Sequence, residues 1–443
     1  MRSGVRREDK IASIRSAMTE PVLPARAKAS PRLRRLKAAL RRAIGLTSRR
    51  RRRRRAGRFP HHPDIAQHWE LIVISMLRFG RASSGNRVKM YCDGDERLDD
   101  IWQSIDQAKK EIWFEIYTLE PDRVGNRTIE VLARAAERGC KVTLLYDGVG
   151  SSHLTESVLR PLRQAGAEIE VFNPIWRWRR KIPLLRRDHR KIIIIDGQIA
   201  FCGGMNISEQ YAGTRYGNGR FRDCHVRLEG PCVRDLASVF ASSWKLLHKG
   251  RKRLPRRTEP AGSTFAQVFA SSGAQGRRLI QRTLRLTIRN ALHHCYITTP
   301  YFIPPLRLMR AINRAAQRGV DVRILTAGIS DVPIVRMAAQ HIYGAFLRHG
   351  VSIYEMFDST LHAKTLTIDG LYGTVGSFNL DTWSDKRNLE VNVAMIDQNV
   401  AGDIQSEFLK NIKSSTEVTL DNWQKRPWWR RVLNWAAYQV LRM

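Results

Sequence analysis

Apolar and polar residues fall into two kinds of block that recur in the same order along the chain. Residues 101–112 carry apolar side chains at helical spacing and lead into the apolar run IWFEIYTL. Residues 129–138 form a second helical stretch, ended by Gly139 and followed by the strand-like KVTLLYD. Residues 308–318 repeat that arrangement, ended by Gly319 and followed by VDVRILTAG. Aligned, RAAERGCKVTLL and RAAQRGVDVRIL match at an offset of 180 residues. Helices alternating with continuously apolar strands predict an α/β layer architecture with a largely buried sheet, and the offset predicts two such units.

The same pattern divides the chain. Residues 1–84 read as a basic arm, 85–247 as a first folded half, 248–263 (HKGRKRLPRRTEPAGS) as a linker, 264–420 as a second half and 421–443 as a Trp- and Arg-rich tail. In the arm, Leu33, Leu36, Leu40 and Ile44 recur at helical spacing between arginines, which suits an amphipathic helix at an anionic bilayer. Seven consecutive arginines follow at 49–55. A solvated basic tail, nucleic-acid binding and a targeting signal are the other readings of this arm. The tail crowds Trp423, Trp428, Trp429 and Trp435 among arginines, which fits either a membrane interface or a terminal helix docked on the core. Residues 71–77 are apolar but far short of a span, and no signal peptide is expected.

Charge changes the picture more than composition does. The formal net charge is +36, and residues 1–60 alone hold 21 Lys or Arg against 3 Asp or Glu. Such an excess predicts an anionic partner, nucleic acid or an acidic membrane surface. The six cysteines are scattered in mostly apolar stretches, which favours buried, reduced thiols and a cytoplasmic setting.

Chemistry enters with a five-residue string that occurs twice: His189, Lys191, Asp196, Gly203 and Asn206, and again His362, Lys364, Asp369, Gly376 and Asn379. In HRKIIIID the apolar run predicts a buried strand, on which His189 and Lys191 project to one side, as do His362 and Lys364. Asp196 and Asp369 lie an odd number of residues away and are read as structural. A His and a Lys from each half, joined across a pseudo-twofold interface, suit a phosphodiester. One imidazole attacks phosphorus, the other protonates the departing oxygen, and the lysines neutralise the non-bridging oxygens. Asn206 and Asn379 follow glycines and are further candidate donors to the substrate. No carboxylate cluster accompanies the histidines, so no metal is expected; His225 and His341 are given no role.

The doubled HxKxxxxD, each followed by a GG or GS and Asn segment, resembles the phospholipase D superfamily over residues 87–418. GNRVKMYCDGDE, TTPYFIPP, SDVPIVRMAAQHIYGAFLRHGVSIYE and LHAKTLTIDGLYGTVGSFNLD are similar to bacterial cardiolipin synthases. The resemblance implies two phospholipase D-like α/β/α halves related by duplication, and a phosphatidyl group transferred through a phosphohistidine from one phosphatidylglycerol to another, releasing glycerol. It implies His189 as nucleophile and His362 as general acid and later base. It also implies a carboxylate on a following segment beside each histidine, matched by Asp223 in FRDCHV and Glu390 in NLEVN. No cofactor is implied. The partners are anionic phospholipid and the membrane surface, at the cytoplasmic face of the inner membrane. Phospholipid hydrolysis and cleavage of nucleic acid, gripped by WRWRRK at 176–181, are the alternatives from the same superfamily, and nucleic acid is the disfavoured partner.

Overall fold

The computed structural model describes residues 63–442 apart from 78, 175–181, 184, 248–251, 272–273 and 382–387. The arginine-rich stretch before residue 63 and the WRWRRK segment lie outside the described residues.

One mixed sheet of fifteen strands runs through the molecule. From one edge its order is Glu168–Phe172, Lys141–Asp147, Glu111–Ile116, Ile192–Ile195, Ile199–Gly203, His225–Glu229 and Arg81–Tyr91. It then continues through Thr264–Ser271, Glu390–Ile396, Tyr372–Gly376, Thr365–Ile368, His294–Thr298, Asp321–Ala327, Ser352–Met356 and Thr416–Val418. The two runs mirror each other. In each, three parallel strands lie outermost, apart from the short antiparallel strand Thr416–Val418 at one edge, and antiparallel strands lead to the middle. The centre is the antiparallel pair Arg81–Tyr91 and Thr264–Ser271, which fuses the duplicated halves into one sheet.

The strands form where apolar runs demand burial on both faces, as in Ile192–Ile195, buried throughout. The helices Gly94–Asp106, Arg123–Glu137 and Glu156–Gln164 cover one face of the first half, and Ala274–Arg289, Leu306–Gln317 and Pro333–Leu347 the corresponding face of the second. Arg123–Glu137 and Leu306–Gln317 stop at the matched glycines, Gly139 and Gly319. Both have positive φ (94° and 90°), which glycine adopts without strain. On the other face, Cys232–Leu247 and Gln398–Lys413 contribute Leu236, Phe240, Ile404 and Phe408 to a core shared by both halves.

Two boundaries differ from those the sequence suggests. Ordered structure precedes residue 85: helix Pro63–Met76 and strand Arg81–Tyr91 belong to the folded body. Trp69, Ile72, Val73 and Met76 are buried in the second half, with Trp69 stacked on Tyr372 at 5.2 Å. Within the short apolar run at 71–77, Ile72, Val73 and Met76 thus form a buried helical face, while Leu71 points outward. At the other end, residues 421–442 join the body as well: helix Trp428–Arg442 packs along Pro333–Leu347, the docked arrangement being one of the two the sequence allows. Between the halves, residues 252–263 run without helix or strand.

Candidate active site

Each motif leads into a hairpin. Ile192–Ile195 turns into Ile199–Gly203 through Asp196 and Gly197, and Thr365–Ile368 turns into Tyr372–Gly376 through Asp369 and Gly370. All four have positive φ (53°, 65°, 54° and 62°) and form the centres of the turns that Gln198 N–H closes on Ile195 O at 2.9 Å and Leu371 N–H on Ile368 O at 3.2 Å. The Asp196 carboxylate accepts the backbone N–H groups of Lys109, Lys110 and Glu111 at 2.8–3.0 Å. Asp369 accepts those of Leu292, His293 and His294 and the indole N–H of Trp69 at 3.1 Å. Both aspartates therefore tie hairpin to sheet, at the strand ends remote from the histidines.

The histidines and lysines do not stand on the strands where HRKIIIID suggests them; the strands begin just after, at Ile192 and Thr365. The reason is a backbone exchange between halves. His189 N–H donates to Leu389 O at 3.0 Å, and Asp188 bridges to Leu389. Likewise His362 N–H donates to Arg222 O at 2.7 Å, and Thr360–Leu361 pairs in parallel with Phe221–Arg222. Each motif histidine is thus laid beside the residue preceding a carboxylate of the opposite half.

The carboxylate pairing is therefore crossed. His189 Nδ1 lies 3.1 Å from Glu390 Oε2, and His362 Nδ1 lies 2.6 Å from Asp223 Oδ2. The resemblance implies a carboxylate on a segment following each histidine; Glu390 does follow His189, but Asp223, the carboxylate at His362, precedes it in the chain. The imidazoles face one another with ring centres 6.4 Å apart. Lys364 Nζ lies 2.7 Å from His362 Nδ1 and 3.8 Å from Asp223 Oδ2, while Lys191 Nζ donates to His189 O at 3.0 Å. All six side chains are buried.

Asn206 and Asn379 are buried too. Asn206 Oδ1 accepts the Thr118 N–H at 3.2 Å, and its carbonyl accepts from the buried guanidinium of Arg97 at 2.9 Å. Sequence reasoning missed three groups. The Tyr211 hydroxyl lies 3.3 Å from His362 Nδ1, and Tyr117 stands edge-on to His189 at 4.8 Å. Ser377 Oγ donates to Glu390 Oε2 at 2.5 Å. Tyr117 had a signal, since it directly follows the apolar strand Glu111–Ile116, where sites of α/β sheets collect; Tyr211 had none. Ser377 is the second letter of the GS that answers GG in the first copy. At the matching Gly204 a Cβ would lie 2.2 Å from Asp223 Oδ1, so only glycine fits there.

The family model described as "Cardiolipin synthase, PLD-like domain" matches twice, at residues 101–230 and 284–412. The chain belongs to this phospholipase D-like cardiolipin synthase family. It is 32% identical over 372 residues to cardiolipin synthase 1 of Bacillus cereus, covering 82% of this chain and 73% of that protein. It is 34% identical to a cardiolipin synthase of Staphylococcus aureus, covering 81% of this chain and 74% of that protein. The fold is shared with phosphatidylserine synthase of Haemophilus influenzae at a TM-score of 0.58 and 13% identity, over 80% of this chain and 93% of that one.

For a cardiolipin synthase family site, the electrostatics of the two His–carboxylate pairs are unequal. Burial, with Lys191 and Lys364 nearby, drives the His189 imidazole well below its ordinary range. Burial and Lys364 push His362 down to about 4 against the pull of Asp223. Burial beside Lys364 lowers Lys191 to about 7, and burial lowers Lys364 as well. Burial pushes Glu390 up to about 8, opposed by Ser377 and Lys191. Burial also pushes Asp223 upward, but Lys364 and His362 together outweigh it and hold the carboxyl below its ordinary range. His362 is thus backed by a firmly ionised carboxylate, and His189 by one that holds a proton readily.

Proposed function

We propose that this chain is a phosphatidyltransferase that joins two phosphatidylglycerol molecules into cardiolipin and releases glycerol, through a phosphohistidine on His189. The observation that carries this reading is the pair of facing imidazoles at 6.4 Å, one from each half, each backed by a buried carboxylate of the other.

In the first step His189 Nε2 attacks phosphorus, and the bond from phosphorus to the glycerol oxygen breaks. His362 Nε2 gives that oxygen its proton, so glycerol leaves neutral. A phosphodiester anion in the pocket raises the proton affinity of His362 above its value in the free protein, and ionised Asp223 stabilises the imidazolium. His189, lacking a comparable ionised partner, stays neutral and nucleophilic. Lys191 and Lys364 neutralise the non-bridging oxygens, with Asn206 and Asn379 as further donors. In the second step a headgroup hydroxyl of another phosphatidylglycerol attacks the phosphohistidine; His362 takes its proton, and His189 departs unchanged. The phosphodiester energy is kept in the P–N bond, so the scheme uses no nucleotide. A membrane surface is the partner this substrate requires.

The test is incubation of purified protein with phosphatidylglycerol vesicles, followed by lipid separation. Cardiolipin and glycerol in equal amounts are expected; phosphatidic acid as the sole product would replace transfer by hydrolysis. His189→Ala is expected to abolish turnover and the acid-labile phosphoryl adduct together. His362→Ala is expected to slow formation of that adduct by about 10² to 10⁴.

A further inference from the structure

Helix Trp428–Arg442 is seated by one face only. Asn434 and Ala437 are buried against the body, and Tyr438 rests on His341 of helix Pro333–Leu347 with ring centres 5.1 Å apart. Just before it, Trp423 donates its indole N–H to Gln340 O at 2.8 Å. Most of the other large apolar side chains of the helix face outward. Trp428 is 75% exposed and Trp435 52%, with Trp429, Val432, Leu433 and Val440 exposed beside them. Arg430 and Arg431 are exposed on the same helix, the Arg430 guanidinium 5.1 Å from the Trp429 ring. Indoles interleaved with arginines match the headgroup layer of a bilayer, where the rings meet the acyl boundary and the cations meet phosphates.

A second patch lies where the catalytic residues are. Ile329 and Val332 are exposed beyond the end of strand Asp321–Ala327, and Ile334 in the first turn of the helix that carries Trp428–Arg442. Phe357 is exposed beyond strand Ser352–Met356, whose last residue accepts the Ile329 N–H. This is the sheet end where Thr298 lies opposite both Leu325 and Thr365, next to Lys364. The first half adds exposed Val149, just past strand Lys141–Asp147, and Leu185, four residues before His189.

We propose that this surface docks the protein on an anionic phospholipid bilayer, with the outward face of helix Trp428–Arg442 inserted at the headgroup boundary and the active-site mouth turned to the same membrane. The inference rests on the substrate being a phospholipid of that bilayer. Charge complementarity selects the occupant, because arginines flank the indoles and the whole chain carries +36. Among the described residues no helix is long and apolar enough to cross a membrane, so attachment by these elements is interfacial.

The experiment uses the full-length protein and the pair Trp428→Glu with Trp435→Glu, with Trp428→Ala and Trp435→Ala as a milder version. Thermal melting identifies the version that keeps the fold. Flotation with phosphatidylglycerol vesicles in high salt suppresses attachment by charge alone and leaves insertion in place. The variant is expected to bind about tenfold more weakly or worse, equivalent to about 1.4 kcal/mol, and to lose interfacial turnover in proportion. Its turnover of short-chain phosphatidylglycerol dissolved as monomers is expected to match that of the unaltered protein. Equal flotation of variant and unaltered protein overturns the proposal, as does a lipid-free dimer that the variant abolishes. If the unaltered protein makes no cardiolipin from dissolved phosphatidylglycerol, the substrate reading fails, while flotation still judges the docking surface.

Discussion

Lys191 shows what the site costs the fold. Its ammonium is buried near Lys364, and burial with that like charge brings it from an ordinary 10.5 to about 7. Between those two values the unfolded chain holds a proton that the folded chain has lost, so unfolding takes up protons and stability rises with pH from about 7 to 10. Below 7 the folded protein carries the buried charge and bears the full penalty. Lys191→Met is therefore expected to raise stability at pH 6 by on the order of 3 kcal/mol, with a gain that shrinks as pH approaches 10, while turnover disappears. Urea unfolding at pH 6 and 9 measures this; a variant less stable at both would show that the ammonium's contacts outweigh its burial. The His and Lys pairs were legible in the sequence because the repeated spacing marks them. The partner of each was not. A linear pattern shows that Asp223 follows His189 and Glu390 follows His362, and carries no sign that the backbones cross between halves before the carboxylates are reached.

At the scale of elements, the hairpins were legible because Asp-Gly after an apolar run is a turn with a mechanism, and the matched glycines ended the helices where positive φ was needed. Helix Pro63–Met76 was not placed, because its apolar run states that something must cover it and leaves open what does. The structure answers with Trp69, which stacks on Tyr372 and donates to Asp369, the residue that anchors the second motif's hairpin. Trp69→Ala is expected to cost about 3–5 kcal/mol through the cavity it leaves. Trp69→Phe keeps an aromatic ring against Tyr372 and loses the hydrogen bond, for about 1 kcal/mol. Chemical denaturation distinguishes the two. If both variants unfold at the same midpoint, the indole N–H accounts for the whole loss and the ring adds nothing. Either loss is expected to reach the site through the hairpin that begins just after Lys364.

The whole molecule is built so that each half completes the other. His189 meets Glu390, His362 meets Asp223, the central core takes residues from both halves, and helix Pro63–Met76 reaches from the first half's end of the chain into the second half's core. Duplication was legible as a repeat; that the copies share one sheet was not, because Arg81–Tyr91 and Thr264–Ser271 look like ordinary strands and their pairing lies far apart in sequence. The connection between halves at 252–263 has no helix or strand, so a protease site placed there interrupts no sheet or helix hydrogen bond. Cleavage at that site is expected to leave one particle of unchanged size with nearly full activity, because the sheet, the shared core and the crossed carboxylates hold the pieces together. Unfolding the nicked protein and separating the pieces should then give fragments without turnover, each holding one histidine with its carboxylate left on the other. Recombining them in equal amounts should restore activity with second-order kinetics. An isolated fragment that turns over phosphatidylglycerol would show that one His and Lys pair suffices and that the crossed pairing is structural only.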